Sequence, residues 1–355
     1  MKKIWIGLGL ASALAIGAAY HQRANIALAL VETIANERMQ DPVATLPDGL
    51  HVLLCGTGSP FPDPDRSAPC TMVIAGQQQF LFDVGGGAAK QIANMGFGTG
   101  ALEAVFLTHF HSDHIDGLGE LLMTRWAQHT GNKRLKLHGP QGTAQVLEGF
   151  TTAYAQDTHY RIAHHGDATM DPMLAGANAV EFDATETGFI PVFDNGAVRI
   201  QAFSVNHHPI HPAVGYRIEY KNRSVVISGD TKADPRVEQA AANADLLVHE
   251  ALSPELVGRL ADVAQSNERR KLLKIFQDIP DYHAAPEQVA ELAKNAEVKH
   301  VVLTHIVPPL PLAPLREIFL GESQSIFKGS FKIGNDGDFI SLPANSADIE
   351  YNRRW

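Results

Sequence analysis

The eleven residues Leu107–Gly117, LTHFHSDHIDG, carry three histidines and two aspartates at the end of an apolar run, AVFLT. From Leu118 to Gln128 the apolar positions Leu118, Leu121, Leu122 and Trp126 recur at helical spacing, so the cluster lies in a loop between a strand and a helix. Loops of this kind project side chains from the carboxyl edge of a sheet, where α/β folds collect their ligands. Capping of the following helix by Ser112 or Asp113 accounts for one residue and leaves three histidines without a use. The pattern therefore demands α/β layers with a polar site along one sheet edge.

Four more strand ends repeat the theme. GAVRIQAFSVNHHP runs into His207 and His208, RSVVISGDT reaches Asp230, ADLLVHEA carries His249 and Glu250, and HVVLTHI reaches His305. Imidazole nitrogen and carboxylate oxygen are donors suited to zinc, and two ions sharing a carboxylate need about seven protein ligands. In a tight loop, H-x-H-x-D-H can aim His109 and His111 at one ion and Asp113 and His114 at a second, roughly 3.5–4 Å away.

With 355 residues, 45% of them hydrophobic and 19% charged, the chain is long enough for one elaborate catalytic domain, expected over residues 49–345. Lys2 and Lys3 precede an uncharged run from Ile4 to Tyr20, the layout of an export signal or a short anchor, so residues 1–39 are assigned to a signal peptide or membrane anchor. The expected location is the periplasm, or the membrane facing it. Residues 40–48 read as a linker and 346–355 as a tail. The formal net charge of −10 argues against a long polyanion as main partner, because phosphate backbones are gripped by Lys and Arg. Cys55 and Cys70 can pair once in an oxidising compartment, with two buried free thiols preferred. Helices are expected in GTAQVLEGFTTAYAQD, in PEQVAELAKNA, and as one long amphipathic element in PELVGRLADVAQSNERRKLLKIF. Residues 159–178 show no period and read as a surface excursion.

Taken in order, THFHSDHIDG, VNHHPIHPAVGYRIEY, SGDT, LLVHEA and VVLTHI resemble the metallo-β-lactamase superfamily, in the branch that holds ribonuclease Z and the metal-dependent arylsulfatases. The resemblance spans Gly49 to Pro309. It implies an α/β fold, an αββα sandwich of two mixed β-sheets flanked by helices. It also implies two Zn2+ ions, with Mn2+ or Fe accepted by the same donors. His109, His111 and His207 would hold the first ion, Asp113, His114 and His305 the second, and Asp230 would bridge them. Asp83 in FDVGGG is expected to support the metal loop or to cap a helix, not to ligate. The ribonuclease Z pattern further assigns Glu250 to orient His283, which stands 22 residues before His305 and would protonate the leaving oxygen. Asp113 would orient the attacking water activated by the metals. The spacing of HHPIHPAVGYR from His207, with YAQDTHYRIAHHG, resembles the arylsulfatase form. The expected substrate is therefore a small sulfate or phosphate ester, with nucleic acid disfavoured. A ribonuclease Z-type phosphodiesterase and a non-catalytic binding protein on the same fold are the alternatives.

Overall fold

A computed structural model describes residues 20–36, 38–184 and 188–354. The chain divides into a short unit, Met1–Thr45, and a main unit, Leu46–Trp355. In the first unit residues 20–36 are helical and mostly exposed. The run from Ile4 lies outside the described residues until Tyr20. Among the described residues no helix is long and apolar enough to cross a membrane.

The main unit contains β1 (Gly49–Gly56), β2 (Cys70–Ala75), β3 (Gln78–Phe82), β4 (Leu102–Phe106), β5 (Leu135–Pro140), β6 (Ala177–Phe182), β7 (Ile190–Asp194), β8 (Val198–Ser204), β9 (Val214–Tyr220), β10 (Arg223–Ile227), β11 (Leu246–Leu252), β12 (His300–Val307), β13 (Ser330–Ile333), β14 (Asp338–Pro343) and β15 (Glu350–Arg353). They form two mixed sheets, ordered β15-β14-β1-β2-β3-β4-β5-β6 and β13-β12-β11-β10-β9-β8-β7. Apolar runs such as VLLC and LLV suit strands covered on both faces, and β1, β10 and β11 are buried along their whole length. Between the sheets, Leu50, Phe80, Phe82 and Phe106 meet Ile200, Tyr216, Val225 and Val248. On the second sheet's other face, Val289, Ala290 and Ala293 of the helix Pro286–Asn295 pack against Leu247, Val301 and Leu303. The helices Ala88–Asn94 and Thr143–His165 cover the first sheet near β1 and near β5 and β6. This is an αββα sandwich.

Several local expectations are corrected. Cys55 and Cys70 form a disulfide, with Cα atoms 5.0 Å apart. The β1–β2 register slips between Leu54 and Gly56, which brings the bulged Cys55 beside Cys70. The segment taken as a tail includes β15, which pairs antiparallel with β14. The helix at Thr143 continues to His165, well into the supposed excursion. The expected long helix is two, Pro254–Ser266 and Arg270–Asp278, broken at Asn267–Arg269 where Glu268 adopts a positive φ of 54°.

Candidate metal centre

Each polar candidate sits just beyond, or near the end of, a strand, except His283, which precedes the helix Pro286–Asn295. His109 and His111 follow β4, and Asp113 and His114 lie in the single-turn helix Ser112–Ile115. His207 follows β8, Asp230 follows β10, Glu250 lies in β11 and His305 in β12. His305 is the extra residue of a bulge: Glu250 pairs with Thr304 and Ala251 with Ile306. The bulge holds His305 at φ 47°, a left-handed conformation that re-aims its ring.

Asp230 is the hub. Its Oδ2 lies 3.3 Å from His305 Nε2, 3.4 Å from His114 Nε2, 3.8 Å from His109 Nε2 and 3.9 Å from His207 Nε2. Asp113 Oδ2 lies 3.3 Å from His305 Nε2 and 3.6 Å from His114 Nε2. Donor atoms gather in two groups, His109–His111–His207–Asp230 and Asp113–His114–His305, each spanning no more than 4.8 Å. His208 and His211 join neither group, and His249 turns its Nδ1 to the Glu250 carbonyl at 2.7 Å.

The surroundings select the ring tautomers. Asp83 accepts from the Thr108 backbone N–H, the Thr108 hydroxyl and His114 Nδ1, each at 2.8 Å. Because Thr108 Oγ1 donates to Asp83, it is left to accept from His109 Nδ1 at 3.0 Å. The Tyr282 carbonyl accepts from His207 Nδ1 at 2.9 Å. In all three histidines a proton is thereby held on Nδ1, which leaves Nε2 as the atom turned to the cluster, the usual arrangement around a ligating imidazole. His109 Nε2 and His114 Nε2 are buried without a hydrogen-bond partner among the described residues, a costly state that a cation would relieve. The donor set and these two orphaned nitrogens fit a metal centre.

The charges are mutually dependent. Burial is the largest influence on His114 and depresses it, but Asp230, Asp83 and Asp113 outweigh burial and hold it well above the ordinary histidine range. His305 is likewise depressed by burial and lifted by Asp230 and Asp113 to about 9. His207, for which burial prevails, is lowered to about 4. Burial raises Asp113, yet His114 and His305 more than offset it and keep the carboxylate below its usual range.

Beside the cluster, His283 Nδ1 lies 3.0 Å from Glu250 Oε1, which also accepts from the backbone N–H groups of Thr231 and Ala284. A ligand atom of His283 lies within 4.8 Å of those of Asp230 and His305. Asp83 takes the supporting role of the two anticipated. Thr108 and the Tyr282 carbonyl were not anticipated, although each immediately precedes a histidine of the site.

A β-lactamase superfamily domain matches residues 79–306. A protein of Mycobacterium bovis named ribonuclease Z is 38% identical over 289 residues, covering 81% of this chain and 96% of its own, and a Mycobacterium avium protein of the same name is 36% identical over 299 residues, covering 84% and 100%. Among solved structures, the metallo-β-lactamase fold protein YhfI of Bacillus subtilis has a TM-score of 0.58 at 19% identity, covering 82% of this chain and 99% of that one. Human tRNase Z, short form, has a TM-score of 0.58 at 22% identity, with coverages of 82% and 99%. The fold and site thus define a metal-dependent hydrolase. The chain belongs to the β-lactamase superfamily and, within it, to the family of its relatives named ribonuclease Z.

These relatives overturn the preference for an arylsulfatase-like enzyme acting on a small ester, and with it the expectation that nucleic acid is disfavoured. YAQDTHYRIAHHG, which with the spacing from His207 carried that preference, lies at the end of the helix Thr143–His165 and contributes nothing to the cluster. Net charge misled because it averages the whole surface. Arg269, Arg270 and Lys271 are exposed at the start of the helix Arg270–Asp278, whose Leu272, Ile275 and Phe276 share a cleft with His111 and Asp113.

Proposed function

We propose that this chain hydrolyses phosphodiester bonds in RNA as a ribonuclease Z-type enzyme, and that its donors take two zinc ions, with manganese or iron as substitutes. His109, His111 and His207 would hold one ion, Asp113, His114 and His305 the other, with Asp230 shared. The single observation carrying the hydrolytic reading is the Glu250–His283 pair, at 3.0 Å, set against the donor cluster. Cations at these donors supply Lewis acidity, neutralising charge on phosphoryl oxygens and lowering the pKa of water. Asp113, kept ionised by His114 and His305, is placed to orient the attacking water and accept its proton. His283 presents Nε2 while Glu250 fixes Nδ1, so it can deliver a proton to the departing ribose oxygen. Glu250 is a positioning residue, braced by two backbone N–H groups.

The test is turnover by the purified, metal-loaded chain of 3′-extended precursor tRNA, a short RNA, bis(p-nitrophenyl) phosphate and an aryl sulfate. RNA and the phosphodiester should be cleaved, and chelation should abolish cleavage. Turnover of the sulfate alone would end the reading.

Export to the periplasm, free or anchored, is supported by Lys2 and Lys3 before the uncharged run and by the Cys55–Cys70 bond, which an oxidising compartment permits. An exported enzyme would meet RNA fragments and not nascent tRNA, so cell fractionation also decides between these substrates. Recovery in the cytosol with Cys55 and Cys70 reduced would end the export proposal.

A further inference from the structure

An apolar surface adjoins the donors His111 and Asp113. A cleft of about 380 Å³ has His111, Ser112 and Asp113 on one side, and Phe61, Leu272, Ile275 and Phe276 among the residues of the other. Its size is that of a small-ligand site. The Phe61 and Phe276 rings are nearly parallel, 13° apart in plane with centroids 6.0 Å apart. Together with Tyr282 they rest on a small core of Leu252, Val257, Ile279 and Val307, which fixes them in place. Leu272 and Ile275 remain 47% and 48% exposed, an unsatisfied apolar pair at the lip. Among the described residues Asp113 is the one carboxylate lining the cleft, and no Lys or Arg lines it.

We infer that this ledge seats an aromatic ring joined to the phosphate being cleaved, which for an RNA substrate is the nucleobase next to the scissile bond. The inference rests on the phosphodiesterase reading. A phosphate bound near His111 and Asp113 must place its neighbouring groups along the cleft, because those two residues are part of its wall. Flat aromatic faces and aliphatic side chains without cations favour a neutral planar ring over another phosphate. Any base has such a face, so the ledge confers preference for a nucleotide without choosing a sequence.

The experiment is calorimetric binding of uridine 5′-monophosphate and ribose 5-phosphate to the full, metal-loaded chain, with metal content measured in parallel. The nucleotide should bind about tenfold more tightly, the usual scale of one base stacked on an aromatic side chain. F276L and I275S should each pull that ratio towards one, with metal content and ribose 5-phosphate binding retained. I275S alters a half-exposed position and decides the question should F276L not fold. Equal affinities in the unaltered chain, or a ratio untouched by both variants, would overturn the inference. So would a ratio near one accompanied by a lower assembly mass for I275S, which makes the ledge a contact between copies. Nucleotide preference without turnover of any diester would leave the ledge standing and remove the phosphodiesterase reading; turnover without nucleotide preference would do the reverse.

Discussion

Replacing Asp83 by Asn should cripple metal binding although Asp83 donates nothing to the cluster itself. Asp83 Oδ1 accepts from the Thr108 N–H, and Oδ2 accepts from both the Thr108 hydroxyl and His114 Nδ1. An asparagine oxygen can keep the backbone bond, but its NH2 can only donate to the other two groups. His114 Nδ1 must then accept, which moves the His114 proton to Nε2. The Thr108 hydroxyl, now receiving a proton from the amide, is free to donate to His109 Nδ1, 3.0 Å away, so His109 is also driven to carry its proton on Nε2. Two ligand nitrogens are lost through one isosteric change. Loss of a single such supporting bond typically costs 10–100-fold in metal affinity, and with two tautomers affected we expect about 100-fold, equivalent to about 2.7 kcal/mol. The fold should persist, since Asn tolerates the φ of 58° at this position as Asp does. Zinc affinity is measured by competition with a chromophoric chelator, and stoichiometry by elemental analysis. D83N binding zinc within about twofold of the unaltered chain would refute the tautomer argument.

H283A should retain its metal and lose about 10²–10³-fold in kcat on an RNA diester, with a much smaller loss on bis(p-nitrophenyl) phosphate, whose leaving group needs no proton; equal losses on both would remove the acid role. E250Q should fall about tenfold in kcat with a displaced pH profile, and a purely structural Glu250 would leave the profile in place. Breaking the Cys55–Cys70 bond, which spans 15 residues, should lower unfolding free energy by about 3 kcal/mol in urea denaturation; no change on reduction would show that the link bears no load. His138 is buried with neither ring nitrogen hydrogen-bonded among the described residues, and burial lowers it from 6.5 to about 4. Its unfolded form therefore binds the extra proton between those values, so stability falls as pH drops below 6.5 and the cost is complete below 4. H138F, which keeps the stack on Phe106, should reduce the loss of stability between pH 7 and pH 5 by about 2 kcal/mol, and an unaltered acid limb would count against this account.

The cluster was legible because its donors occupy strand ends, and strands buried on both faces announce themselves as uninterrupted apolar runs. β4, β10, β11 and β12 carry such runs, β8 alternates apolar and polar residues instead, and each of the five leads on to a histidine, aspartate or glutamate. The half-exposed β6 and β7 have no such run and were not assigned. The break at Glu268 was hidden because the apolar spacing continues across it. The disulfide depended on a bulge at Cys55, a feature of register that composition does not encode. The ledge was invisible for a related reason: Phe61 and Phe276 are 215 positions apart in the sequence and meet only after the sheets pack.

Protons on the histidines offset the charge of the buried aspartates they face. Burial alone would neutralise the histidines, as it does for His207 at about 4. Around His114 and His305 the carboxylates prevail and lift both rings above the ordinary histidine range, His305 to about 9. Asp230 is pushed up by burial but carried far below its usual range by His305, His114 and His109, so it remains an anion among positive neighbours. Protons thus balance the carboxylates where metal ions would, and metal loading must expel them. Acid therefore opposes metal binding at these donors. The bonds from Asp83, Thr108 and the Tyr282 carbonyl act in the other direction, since they leave Nε2 of His114, His109 and His207 as the atom from which a proton is most readily exchanged for a cation.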